Sequence, residues 1–250
     1  MVPQVWPGST FICVGCGPSL DEVQIQRCRD AVESLDARII VINDAYRLLP
    51  MADVLYGCDS RWWLWHEGVS LFPGIKVGLA WSCIDNDWFP GWDKIDYTNI
   101  RFLISTGKEG LETNPRGIRT GNNSGYQAIN LAVHLGAKTI VLLGYDMKRS
   151  EDGNHHWFGD HPCPDGILEH STLSPKAKKD LREKWDKVHL GFSSSARPAI
   201  AKVSPPPYEI MLPAFDTLVD PLKKLEIEVF NCSPGSALKT FPIKPIEEVL

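Results

Sequence analysis

The sequence predicts an α/β fold built on a parallel sheet, and three features of the 250-residue chain carry that expectation. Apolar, β-branched runs of strand length recur along it, segments with helical patterning lie between them, and the runs stop on Gly, Asn or Asp. A parallel strand is covered on both faces and so reads as a continuous apolar run, whereas a strand with one wet face alternates. Strand, helix, strand in succession implies right-handed crossovers with helices on both faces, a Rossmann-like arrangement.

Taken in order, residues 11–14 form a short buried strand, and Gly15 and Gly17 then permit a tight turn with close backbone approach. Ser19 with Glu22 reads as a capping box opening a helix over 20–35. Residues 37–42 and 53–56 are the second and third strands, ending at Asn43-Asp44 and Gly57-Cys58-Asp59, and a helix begins over 61–66. Residues 76–79 and 101–104 are further strands, separated by a segment that holds Trp81, Trp88, Phe89 and Trp92. A loop over 105–121 leads to a helix over 122–135 that Gly136 closes, and the strand 138–143 ends in Gly144-Tyr145-Asp146. An irregular stretch over 147–173, a helix over 175–188 and a Ser- and Pro-rich excursion over 191–207 follow, so 147–207 is expected as a lid within one domain spanning 1–250. A helix over 212–225, a strand over 226–230 and a turn over 231–236 close the pattern.

Composition narrows the function. A net charge of −5 and a pI near 5.8 argue against a nucleic-acid platform, which needs a basic face to displace counterions. Apolar runs fall short of the ~20 residues a membrane span requires, and the first residues lack a signal-peptide pattern, so a cytoplasmic protein is expected. The seven cysteines are expected as reduced core residues; Cys13 and Cys16 form a C-x-x-C in name only, one in a strand and the other in a turn.

Polar groups at the carboxyl ends of separate strands, Gly15 to Ser19, Asn43 with Asp44, Asp59 and Asp146, converge on the rim where sheets of this kind take ligands. A helix start after a glycine turn attracts anions through free N–H groups and its dipole. The expected ligand is therefore phosphate-bearing. His155, His156, His161 and His170 with Cys163 could suggest zinc, but their spacing is irregular, and no metal ligand is assigned. A loop histidine overhanging the rim reads instead as a general base, His156 or His161.

These segments, in their order, resemble bacterial sialyltransferases of the Campylobacter type. The resemblance rests on Gly15-Cys16-Gly17-Pro18-Ser19-Leu20, Asn43, Thr120 to Gly125, Gly144-Tyr145-Asp146, the His156-Trp-Phe-Gly stretch and Cys232-Ser-Pro-Gly-Ser236. The chain equally resembles a wider group with a Gly-x-Gly-Pro-Ser-Leu start, including hydroxymethylpterin diphosphokinase-like and phage-encoded proteins. The resemblance implies that Gly15, Gly17, Pro18, Ser19 and Asn43 grip a nucleotide-sugar donor, that Ser124 and Gly125 line the cleft, and that Asp146 contacts ribose or base. It also implies phosphate contacts from Ser233 and Ser236, a base at His156 or His161, and no required cofactor. Cys16 stands where the sialyltransferases carry an asparagine, which removes a donor and acceptor pair from the donor site.

The leading expectation is thus a metal-independent glycosyltransferase acting on a nucleotide-sugar and a small-molecule or glycan acceptor. A pyrophosphokinase-like enzyme with Mg²⁺ held by Asp44, Asp59 or Asp146 is the alternative. A non-catalytic carbohydrate- or protein-binding module, its contact surface formed by Trp62, Trp63, Trp65, Trp81, Trp88 and Trp92, is a third, and a homo-oligomer stays open.

Overall fold

The apolar run predicted to open the chain becomes β1 (Ser9–Val14), the pivot of the sheet. The structure is a computed structural model that describes residues 2–59, 62, 63, 66–80, 97–158, 174–176, 179 and 208–250. From β1 the chain winds outward through β2 (Arg38–Ile42), β3 (Val54–Gly57), β4 (Ile75–Leu79), β5 (Ile100–Ser105) and β6 (Gly117–Ile118). It then returns to the other side of β1 with β7 (Ala137–Leu143) and β8 (Glu228–Asn231), giving the order β6-β5-β4-β3-β2-β1-β7-β8. All neighbouring strands are parallel. Cys13 lies between Ile40 and Leu142, and Val14 between Val41 and Leu143, so the carboxyl ends of the central strands are level. The winding reverses between β1 and β7, the place where sheets of this kind leave a crevice for a ligand.

Alternation of side chains along each strand builds two cores. On one face Phe11, Cys13, Ile40, Ile42, Ile140 and Leu142 pack with α2 (Ser124–Leu135), and with Phe215 of α3 (Tyr208–Asp216) and Leu222 of α4 (Val219–Lys224). On the other, Ile12, Val14, Ile39, Val41, Val141 and Leu143 pack with Ile25, Cys28 and Ala31 of α1 (Glu22–Leu35) and with Trp62 and Trp63. Each such aliphatic side chain stabilises the fold by about 1.5–3 kcal/mol on burial. The α/β expectation, with helices on both faces, is met.

Two local readings change. The predicted helix over 212–225 breaks at Thr217 and Leu218, whose amides bond three residues back, to Ala214 and Phe215. Pro221 has no N–H to offer the Thr217 carbonyl, so the continuous helix loses that bond. The loop over 105–121 contains β6, whose flanks bond to β5 through Ile104 N to Arg116 O (2.9 Å) and Thr106 N to Ile118 O (3.1 Å). Trp62 and Trp63 are helical as expected. Expectations over 81–96, 159–173 and 180–207, and for residues 61, 64, 65, 177 and 178, lie outside the described residues. No helix among the described residues is long and apolar enough to cross a membrane.

Candidate functional site

The turns after β1 and β7 are laced together. Gly15 N–H donates to Leu143 O (2.8 Å) and Gly17 N–H to Gly144 O (2.9 Å). The Asp146 carboxylate accepts both the Ser19 N–H (3.1 Å) and the Ser19 hydroxyl (2.9 Å). A Cβ on Gly17 would lie 1.9 Å from Asp146 Oδ2, and one on Gly15 would lie 2.8 Å from Gly144 O. Both glycines are there because two backbones touch.

That lacing corrects the expected phosphate cradle. The capping box of α1 is Asp21 with Gln24, not Ser19 with Glu22: Asp21 Oδ1 accepts Gln24 N–H (2.8 Å) and Gln24 Oε1 accepts Asp21 N–H (3.3 Å). Asp146 draws Ser19 away from the helix, which leaves the capping position to Asp21. The amides of Gly15, Gly17, Ser19 and Asp21 all have partners within the chain, the Leu20 amide approaches Gly17 O at 3.4 Å, and Pro18 has none to give. A phosphate would have to break these bonds to sit there.

Ser233 and Ser236, expected as phosphate contacts, have partners within the chain. Both are fully buried: Ser233 Oγ accepts Tyr145 N–H (2.8 Å), while Ser236 Oγ donates to Tyr145 O (2.6 Å) and accepts Leu238 N–H (3.0 Å). They brace the Gly144 to Asp146 turn from behind. The turn they hold is strained, with Gly144 at φ +66° and Met147 at φ +51°. Left-handed backbone at a residue such as Met147 costs on the order of 1–3 kcal/mol and persists only where surroundings enforce it. Burial pushes the Asp146 carboxyl upward from its ordinary value, and the two Ser19 bonds and the Lys148 charge pull partly the other way.

At the end of β2, Asn43 also takes a left-handed conformation, φ +49°, and its Oδ1 is buried without a hydrogen-bond partner. Asp44, expected as a nucleotide or Mg²⁺ contact, is instead turned inward with its side chain 1% exposed. Trp62 Nε1–H donates to its Oδ2 (3.0 Å), and Arg47 and His66 lie 3.7 and 3.6 Å from its Oδ1. Tyr46 OH meets His66 Nδ1 at 3.0 Å, so this carboxylate is enclosed in a network of its own. Asp59 is exposed, and its carbonyl accepts the amides of Trp62 (3.1 Å) and Trp63 (3.3 Å), the work of a residue that starts a helical turn.

Cys16 joins the rim together. Its thiol donates to Ile42 O (3.2 Å) and its carbonyl accepts Trp157 N–H (3.0 Å), which seats the segment after β7 on the turn after β1. Burial and the Asp44 charge push the Cys16 thiol well up, and burial pushes Cys13 up to about 12, so neither supplies a thiolate near neutrality. The Arg47 guanidinium lies over the Trp157 ring, 5.6 Å from its centroid. Trp157 Nε1 is buried and has no hydrogen-bond partner among the described residues.

His156 stacks on Phe158, ring centroids 5.0 Å apart, and His155 Nδ1 meets Tyr208 OH at 3.1 Å. His161 lies outside the described residues. Ser124 opens α2 behind the N-cap Asn123, and Gly125 O accepts the Tyr145 hydroxyl (3.0 Å), which ties the start of α2 to the β7 turn. Among the described residues no group of three or more His, Cys, Asp or Glu could hold a metal ion.

Comparison with protein-family models, with curated proteins and with solved structures returned no match. The rim offers a buried acceptor (Asn43 Oδ1), a buried donor (Trp157 Nε1), a half-exposed cation (Arg47) and an imidazole (His156) on the segment that carries the donor. Arg47 and Trp157 were missed by the sequence reading. The Asp44-x-x-Arg47 spacing and the His156-Trp157-Phe158 run were the available signals, one read as a strand-end acid and the other as a motif of the resemblance in which only the histidine was given a role.

Proposed function

We propose that this protein is a nucleotide-dependent transferase, and within that class a glycosyltransferase that moves a sugar from a nucleotide-sugar to an acceptor hydroxyl. The observation that carries the reading is Asn43: a left-handed residue at the carboxyl end of β2, next to the strand at which the winding reverses, with a buried side-chain carbonyl oxygen that has no hydrogen-bond partner among the described residues. Buried polar atoms are nearly always hydrogen-bonded, so an exception at a crevice favoured for ligands is explained by a ligand that donates to it. A ribose or sugar hydroxyl is such a donor.

In the transfer, a His156 ring nitrogen takes the proton of the acceptor hydroxyl as its oxygen bonds to the anomeric carbon. The bond from that carbon to the phosphate oxygen breaks, and its electron pair leaves with the nucleotide. The phosphate then carries the charge that the site must stabilise. The reading places the protein in the cytoplasm, where the free thiols of Cys13, Cys16, Cys28, Cys58 and Cys232 stay reduced.

The test is release of free nucleotide from CMP-, UDP- and GDP-sugars offered with a mixed panel of glycan acceptors. The expected outcome is turnover with at least one donor, unaffected by EDTA and reduced about 10²–10⁴-fold in His156→Gln with donor affinity retained. Equal turnover in that variant would remove His156 as the base. A reaction that EDTA abolishes would turn the reading toward diphosphate transfer from ATP.

A further inference from the structure

The Trp157 indole and the Arg47 guanidinium form a pair whose chemistry the described residues leave largely unused. Trp157 Nε1–H is a donor only, is closed to solvent and has no partner. Arg47 stands over the same ring, and its side chain is 46% exposed. Its charge is only partly answered from below: Asp44, 3.7 Å away, is shared with the Trp62 N–H and with His66. A guanidinium carries five N–H donors in a flat fork, so a half-exposed one with a single distant carboxylate keeps most of them for another group. A donor-only nitrogen next to a cation selects an acceptor with negative charge. A neutral hydroxyl can also accept from two donors, but a charge-assisted bond to an anion is roughly twice as strong.

We propose that Trp157 Nε1–H and Arg47 are the oxyanion subsite of this rim and receive a phosphate oxygen of the ligand, in place of the Gly15, Gly17 and Ser19 amides that the chain has already paired. This rests on the nucleotide reading and gives the bound nucleotide a direction: phosphate toward Trp157 and Arg47, sugar hydroxyl toward Asn43 Oδ1. Cys16 lies between the two, bonded on one side to Ile42, the neighbour of Asn43, and on the other to Trp157. Because Nε1 is closed to solvent as it stands, filling the subsite shifts the ring or the chain about it. His156 and Phe158, its neighbours on either side, move with it, which couples donor binding to placement of the base.

The experiment is calorimetric titration of CMP, UMP, AMP and GMP, each beside its own nucleoside, into wild type, Trp157→Phe and Arg47→Gln, with melting of the ligand-free proteins as control. Phenylalanine keeps a ring under Arg47 but removes the unpaired donor together with part of the indole's volume, so the melting of the ligand-free variant reads any loss of packing separately from the loss of binding. Affinity for the best monophosphate falls about tenfold or more in each variant, as expected for a lost hydrogen bond to a charged group, while nucleoside affinity holds. Unchanged monophosphate affinity in both variants overturns the subsite and leaves the nucleotide reading standing. An equal loss for nucleoside and monophosphate also overturns it, because a merely structural role predicts that pattern. A wild type that binds neither overturns the nucleotide reading and the subsite with it.

Discussion

Asp146 is a side chain whose two oxygens are both committed and whose charge is nonetheless costly. It accepts twice from Ser19, yet burial outweighs those bonds and raises its pKa above the unfolded value. A carboxyl with a raised folded pKa binds its proton more tightly in the native state. Its contribution is therefore greatest below the unfolded pKa and is lost as pH rises toward the folded one. Asp146→Asn keeps a carbonyl for the Ser19 N–H and removes the charge. Urea unfolding followed from the acid range to neutrality should show wild type losing stability relative to Asp146→Asn as pH increases; parallel curves would contradict the assignment. The residue was legible as a polar group at a strand end, since Asp at that place breaks the apolar run. Ser233 and Ser236 were not legible as buried braces, because a hydroxyl in a Ser-Pro-Gly-Ser turn reads the same whether it bonds a ligand or the backbone of Tyr145.

The element that decides the site is the turn from β1 to α1. Its glycines were legible as a place of close approach, but a missing Cβ serves a phosphate and a neighbouring strand equally well. Only the parallel partner β7, far away in sequence, distinguishes them. The cap shows the same limit: Ser19-x-x-Glu22 and Asp21-x-x-Gln24 overlap in one stretch, and the distant Asp146 decides between them by claiming Ser19. Gly17→Ala would place a methyl 1.9 Å from Asp146 Oδ2 and 2.5 Å from Gly144 O, so the two turns must separate. Overpacking of this kind costs about 3 kcal/mol. Equilibrium unfolding should register that loss, and a variant as stable as wild type would show that the lacing is not what holds the turns together. The break between α3 and α4 was visible in principle from Pro221, which an apolar pattern read over 212–225 overrode.

At the scale of the molecule, the strand runs were legible because burial on both faces leaves an unbroken apolar stretch, and from their order the parallel sheet followed. β6 was not, since two residues, Gly117 and Ile118, carry no run and pair only because β5 offers an edge. Nor could sequence reveal the partnerless atoms of Asn43 and Trp157, which exist only once everything around them has been paired. The acidic chain carries its acceptor and cation after β2 and its donor beyond β7, on either side of the central β1, and the account stands on that rim being a nucleotide site. An amide-resolved NMR titration with the nucleoside monophosphates tests it most directly. The account predicts shifts concentrated at Cys16, Asn43, Arg47, Met147 and Trp157 at the carboxyl ends of β1, β2 and β7. Shifts confined to the opposite edge of the sheet, or none at saturating nucleotide, would contradict it.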